Sequence, residues 1–302
     1  MATTSSFKDA VVQAMRNLYP EELADKAWDN TGLLLDQAPS FEESGKGGNP
    51  TVLLTNDLTK GVVDEALKVG ASVIVSYHPV IFRALKSLTT KDPMQTQLLR
   101  LIAAGISVYC PHTAVDAAEG GLNDWLCNIL LAGDTEVKRV PAELISRPLS
   151  QGIDATKVGY GRSFELSQAI TLSTLLKRLS TGIGGQRYMM VALPSNMKDL
   201  SKAPGITKIA VCAGSGSDVL KNTDAQVLVT GEMAHHYALR HTQLGQAVVT
   251  VFHSNSERKF LEDVLKPKLE EGLKDAKFSS VKVVVSTADS DPFDIVDVES
   301  LS

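Results

Sequence analysis

The chain has 302 residues, 43% hydrophobic and 22% charged, enough for one large or two medium globular domains. A formal charge of −5 and an isoelectric point near 5.7 leave no general basic footprint for a nucleic-acid backbone. Three widely spaced cysteines, Cys110, Cys127 and Cys212, form no CxxC pair and suit buried thiols in a reducing compartment.

The first twenty residues hold no apolar run long enough for a signal peptide or a membrane span, and Asp9 breaks the acid-free pattern of a transit peptide. Phe7, Val11, Met15 and Leu18 fall on one helical face, with Ser5 or Ser6 as cap. A cytoplasmic location is expected, with a mitochondrial or nuclear pool left open. Residues 37–50, rich in glycine and polar side chains, read as a mobile surface loop. From there short apolar runs alternate with helical patterns. A strand at 52–55 precedes a helix from Thr59 to Gly70, a strand at 73–76, a helix near 93–103 opened by Asp92-Pro93, a strand at 106–110, and a helix near 121–131. The pattern breaks over 137–152, where a domain crossing is expected. An exposed antiparallel strand at 159–166 follows, then a helix near 171–180, strands near 187–193, 207–212 and 226–230, and a helix across 232–243. A strand at 248–252, a helix near 256–271 kinked or split by Pro267, and a strand at 281–286 complete the chain. This predicts an α/β fold in which 1–136 plus 245–302 form one domain and 137–244 the second. The carboxyl-terminal part, including 248–252, returns to the first sheet.

Three histidines stand just past apolar strand-like runs: His78, His112 and His253. Asp116 and Glu257 follow the last two by four residues, a step that can put both side chains on one face of a turn. Each histidine alone could merely cap a strand. Together they predict imidazole and carboxylate groups meeting where the carboxyl ends of parallel strands line a crevice, a donor set suited to first-row divalent metals. The turn 213–218 is either an anion cradle or a tight strand-to-helix connection. Thr230-Gly231-Glu232 with His235-His236 is a candidate for acid/base or substrate work, with one of the two histidines facing the cleft. Trp28-Asp29-Asn30 is placed at the cleft rim, with the core as the alternative for Trp28, and Trp125 packs its helix onto the sheet.

The segments AWDNTGLLL (27–35), VIVSYHPVIF (73–82), ISVYCPHTAVDAAEGGLNDWL (106–126), KIAVCAGSGSD (208–218), TGEMAHH (230–236) and VFHSNSE (251–257) resemble the NGG-one-interacting-factor-three-like family nearly end to end. The same proteins carry the label GTP cyclohydrolase I type two homologues. The resemblance implies two interlocked α/β domains with mixed, largely parallel sheets and a metal-binding cleft between them. It maps metal ligands onto His78, Asp116, His253 and Glu257. His112 is left either to serve as a further ligand or to orient Asp116. Prokaryotic members show two adjacent histidines before the proline. Here the first is Tyr77, the version of eukaryotic, fungal-type members, and a neutral phenol is a poor ligand.

The expected function is a metal-binding, hydrolase-like protein with one or two divalent ions (zinc, iron or manganese) acting on a nucleotide or other phosphorylated small molecule. Glu257 and His236 are the candidates to move a proton. The alternative is a non-catalytic metal-binding or regulatory interaction module, with a transcriptional adaptor as the partner that the family name suggests. A homo-oligomer is expected, with neither membrane nor nucleic acid as partner.

Overall fold

The computed structural model describes residues 6–37, 50–199, 203–275 and 280–300. Most of the glycine-rich stretch expected to be a loop, 38–49, lies outside them. Helix α1 (Phe7–Leu18) opens on Ser6, whose hydroxyl accepts from the Asp9 amide, and it buries Val11 and Met15. Strands β1 (Gly32–Leu35), β2 (Thr51–Thr55), β3 (Ala71–Ser76) and β4 (Ser107–Cys110) belong to a five-stranded sheet in the order β1-β4-β3-β2-β11, where β11 is Lys282–Val285. β1 is antiparallel to β4, and the other neighbours run parallel. The crossovers are α2 (Lys60–Val69), capped by Thr59 and stopped by left-handed Gly70, and α3 (Pro93–Ala104), capped by Asp92 with proline in its first turn.

Alternate residues of these strands face opposite layers. Leu53, Ile74 and Val108 pack with α2 and α3, whereas Val52, Leu54, Val73 and Val75 join a second core containing α1. That second core continues without a break into the other half of the molecule. Helices α4 (Thr113–Ala117) and α5 (Leu122–Leu131) lead to β5 (Glu136–Leu144) and β6 (Gly159–Ile170). Helix α6 (Leu172–Gly182), β7 (Met190–Ala192), β8 (Ile206–Ser215), α7 (Ser217–Leu220), β9 (Val227–Glu232), α8 (His235–Gln243) and β10 (Ala247–Thr250) follow. The second sheet runs β5-β6-β8-β9-β10-β7, with β8, β9 and β10 parallel and the remaining pairs antiparallel.

Two expectations change. The stretch 137–152 is not a structureless crossing, because its first half is the edge strand β5, whose side chains are mostly exposed. The run 248–252 does not rejoin the first sheet, since β10 lies between β9 and β7 of the second and β11 makes the return. The helix near 256–271 is continuous but changes hand-hold, as α9 (Arg258–Phe260), a π-helical turn (Leu261–Leu265) and α10 (Lys266–Asp275). The π turn accommodates Pro267, which has no N–H to give. Trp125 is buried as expected, in the core that its helix shares with the second sheet, and its ring also meets that of Phe260. Among the described residues no helix is long and apolar enough to cross a membrane.

Candidate metal centre

The carboxyl ends of β2, β3 and β4 from one sheet face those of β8, β9 and β10 from the other. A cleft of about 600 Å³ lies between them, lined among others by Tyr77, His78, His112, Asp116, His253 and Glu257. The four residues mapped as metal ligands and His112 therefore share one cavity. His253 and Glu257 reach it from the second sheet, so their strand had no need to return to the first.

Each histidine is held the same way. His78 Nδ1 donates to Asp57 Oδ1 at 2.9 Å, His112 Nδ1 to Asp29 Oδ1 at 2.7 Å, and His253 Nδ1 to Glu232 Oε1 at 3.0 Å. An ionised carboxylate only accepts, so these contacts place a proton on each Nδ1 and make Nε2 the ring atom that can face a cation. Burial pushes Asp57 and Asp29 upward, but the hydrogen bonds and charges of His78 and His112 outweigh it and hold both below the usual aspartate range.

Glu257 is 2% exposed and sits between two of the rings. His78 Nε2 lies 3.6 Å from its Oε2, His253 Nε2 lies 3.4 Å from its Oε1, and Asn56 Nδ2 donates to Oε2 at 2.8 Å. Burial raises its pKa to about 8, partly offset by His253 and Asn56. Among the described residues, the ligand atoms of His78, His253 and Glu257 all lie within 4.8 Å of one another, an arrangement that could hold a metal ion. His112 and Asp116 form the adjoining wall, with the His112 ring 5.4 Å from that of His78. Tyr77 is not idle there, as its hydroxyl donates to Asp116 Oδ1 at 2.6 Å. Desolvation raises Asp116, and burial together with the Asp116 and Glu257 charges raises Tyr77 well above its ordinary value, so the phenol stays neutral.

The backbone is shaped around these atoms. His112 and Phe252, one at the site and one just before His253, hold positive φ angles of 35° and 67°, which cost energy for non-glycine residues. Gly214, at φ +61°, lies so close that an added Cβ would stand 2.6 Å from Glu257 Oε1 and 3.0 Å from His253 Nε2. Three amides of the turn around it are not open to an anion. The Ala213, Gly214 and Gly216 amides already donate to Asn123 Oδ1, Ser256 Oγ and Thr230 Oγ1.

A model of the family Duf34/NIF3 (NGG1p interacting factor 3) matches residues 8–292. The chain belongs to this family. It is 40% identical to "NGG1-interacting factor 3" of Saccharomyces cerevisiae, over 97% of this chain and 99% of that protein. It is 42% identical to "Protein NIF3 homolog" of Schizosaccharomyces pombe, over 93% and 95%. The crystal structure of a Bacillus cereus protein related to NIF3 superposes with a TM-score of 0.71 at 22% identity, covering 95% and 98% of the two chains, and supports the shared fold. These matches bear out the resemblance read from the motifs, including its fungal type.

His236 is not brought to the cleft. It is exposed on α8 with its ring against His235, so the useful residue of the motif TGEMAHH is Glu232, the partner of His253. Asp57 and Asn56 carry no motif in the sequence, and Asp29, expected at the cleft rim, instead holds His112. Trp28 stands at the cleft rim and not in the core.

Proposed function

We propose that this family member is a divalent-metal-dependent hydrolase-like protein acting on a phosphorylated or nucleotide-like small molecule. The carrying observation is the arrangement of His78, His253 and Glu257, with Nδ1 of each ring pinned by a carboxylate. A buried glutamate between the Nε2 atoms of two rings, with Gly214 keeping the space clear, fits a small cation. A divalent ion bound there supplies polarisation of a phosphoryl oxygen and a lowered pKa for water. His112 and Asp116 offer a second position, at which the Tyr77 hydroxyl competes for one Asp116 oxygen.

Within that frame His78, His253 and Glu257 would hold the ion. Asp29 keeps His112 in the tautomer whose Nε2 can take a proton. Glu257 is then a ligand rather than the proton carrier. His236, exposed on α8 and not lining the cleft, is given no role in this reading. A panel of phosphoesters and nucleotides, assayed with zinc, iron and manganese, tests the reading. It predicts a metal-dependent turnover abolished by His253→Ala. Failure of every metal-loaded preparation to turn over any compound would leave a metal-binding protein only. Tyr77→His restores the second imidazole and is expected to raise the ion count per chain toward two. An unchanged count would remove the competition argument. A closed homo-oligomer belongs to the same proposal, and sedimentation showing only a 32.4 kDa species at micromolar concentration would reject it.

A second reading, a protein-interaction role, has its own support. Phe293, Ile295, Val296 and Val298 are exposed along the carboxyl-terminal segment, Phe293 by 73%, and none of them lines the cleft. The partner implied by the relatives' name would dock there, and deletion of 293–300 would abolish that binding while sparing metal content.

A further inference from the structure

Two aromatic side chains stand half in water at the mouth of the cleft. Trp28 is 51% exposed and Phe82 48%, with ring centroids 5.8 Å apart. Isolated exposed apolar residues are ordinary, but an adjoining pair on a cleft rim is a surface waiting for a partner. The pair continues inward. Trp28 meets the His112 ring edge-on at 5.7 Å, and Phe82 meets it at 6.5 Å, so an aromatic wall runs from the rim to the candidate metal centre.

The wall is braced. The Trp28 indole N–H donates to Asp25 Oδ2 at 2.8 Å, and the Asp25 amide donates to Thr113 Oγ1 at 3.0 Å. Asp29, the next residue, holds His112 and accepts from the Thr113 hydroxyl and amide. Asn30 Nδ2 donates to the Ile81 carbonyl at 2.5 Å, tying the Trp28 loop to the loop that carries Phe82. The two rings are thus fixed relative to each other and to the centre. With its N–H already taken, Trp28 offers a ligand only its π face. The 5.8 Å spacing is too small to admit a third ring between them, which needs two contacts of about 3.5 Å. A ligand would lie on the outer faces.

We infer that Trp28 and Phe82 form a stacking platform for a planar heteroaromatic ring, which seats the ring at the rim and its phosphorylated end toward His112. This rests on the hydrolase reading above and narrows its substrates to phosphorylated molecules that carry a flat heteroaromatic ring. Recognition by stacking alone tolerates different rings and rejects ligands that lack one.

The test is calorimetric titration of the full chain with guanosine monophosphate, nicotinamide mononucleotide and ribose 5-phosphate, on chelator-treated and zinc-loaded protein. The ring-bearing ligands are expected to bind roughly ten-fold tighter than ribose 5-phosphate. They should also perturb the fluorescence of Trp28, one of two tryptophans, the other being the buried Trp125. Trp28→Ala should erase the preference and Trp28→Phe keep most of it. Chelation should weaken all three ligands while leaving their ratio. Equal affinities, no saturable binding of either ring-bearing probe at millimolar concentration, or a preference that survives Trp28→Ala would overturn the proposal. So would self-association that Trp28→Ala reduces without any ring preference, since the pair would then be a contact between copies. If the ring preference holds in a protein that binds no metal, the platform stands and the hydrolase reading falls.

Discussion

At the scale of single residues, Glu257 is a carboxyl group taken almost wholly out of water. It keeps its proton to about pH 8 in the metal-free protein, against an ordinary value of 4.5. The folded chain therefore binds more protons than the unfolded chain across that interval. Its contribution to stability is present below the ordinary value and is lost as pH rises through about 8. Glutamine cannot ionise and escapes that loss. In thermal unfolding under chelator, Glu257→Gln should gain on the wild type as pH rises from about 5 to about 9, and the same variant should lose metal. A difference independent of pH would show that the carboxyl ionises freely. The carboxylates behind the imidazoles are the second handle, worth about 10- to 100-fold in metal affinity in comparable sites. Asp57 is the less exposed, its side chain 39% accessible against 55% for Glu232, so Asp57→Ala should cost more affinity than Glu232→Ala. Equal and negligible losses in competition with a chelating dye would count against the pinning of the rings. Of these residues the sequence displayed His78, His112 and His253, because each follows an apolar run. Asp29 and Asp57 gave no such signal, since their partners lie 83 and 21 positions away in the chain and meet only through the fold.

Elements position these groups through their ends. The chain turns out of β8 at Gly214, where an added Cβ would stand 2.6 Å from Glu257 Oε1 and φ is +61°. Gly214→Ala should therefore abolish metal binding and destabilise the protein by about 1–3 kcal/mol from backbone strain alone. Circular dichroism melts and metal titration together check this, and a variant that still binds metal with wild-type affinity would refute the crowding argument. Gly231 is equally enclosed, with its missing Cβ 2.7 Å from the Gly214 carbonyl and 2.8 Å from that of His253. The helices and the buried parallel strands were legible because caps such as Thr59 and Asp92 and unbroken apolar runs are local signals. Two of the edge strands, β1 and β5, were not. β1 has four residues and a register shift, and β5 contains Pro141 with mostly exposed side chains, so neither shows a buried periodicity. A short apolar strand such as β10 reads identically in either sheet, which is why its placement failed.

For the whole molecule the question is what keeps two sheets facing each other across a polar cleft. Arg162, 1% exposed on β6, answers part of it. It pairs with Asp124 at 3.0 Å and donates to the carbonyls of Gly159, Gly161, Ala117 and Ala118, so the second sheet is bound to the segment that follows Asp116. Asn123 adds a second tie, donating to the Asp116 carbonyl and accepting from the Ala213 amide. Arg162→Met strands those carbonyls, and a loss of about 3 kcal/mol is expected because Arg139 still reaches Asp124 at 3.1 Å. Urea denaturation with a loss below about 1 kcal/mol would mean the cleft is held by apolar packing alone. The central claim concerns what the cleft holds. Anomalous diffraction from crystals of the zinc- or manganese-loaded protein tests it most directly. The account predicts a peak bonded at about 2.0–2.2 Å to the Nε2 atoms of His78 and His253 and to the Glu257 carboxylate. A peak elsewhere, or none in a fully loaded crystal, would contradict it.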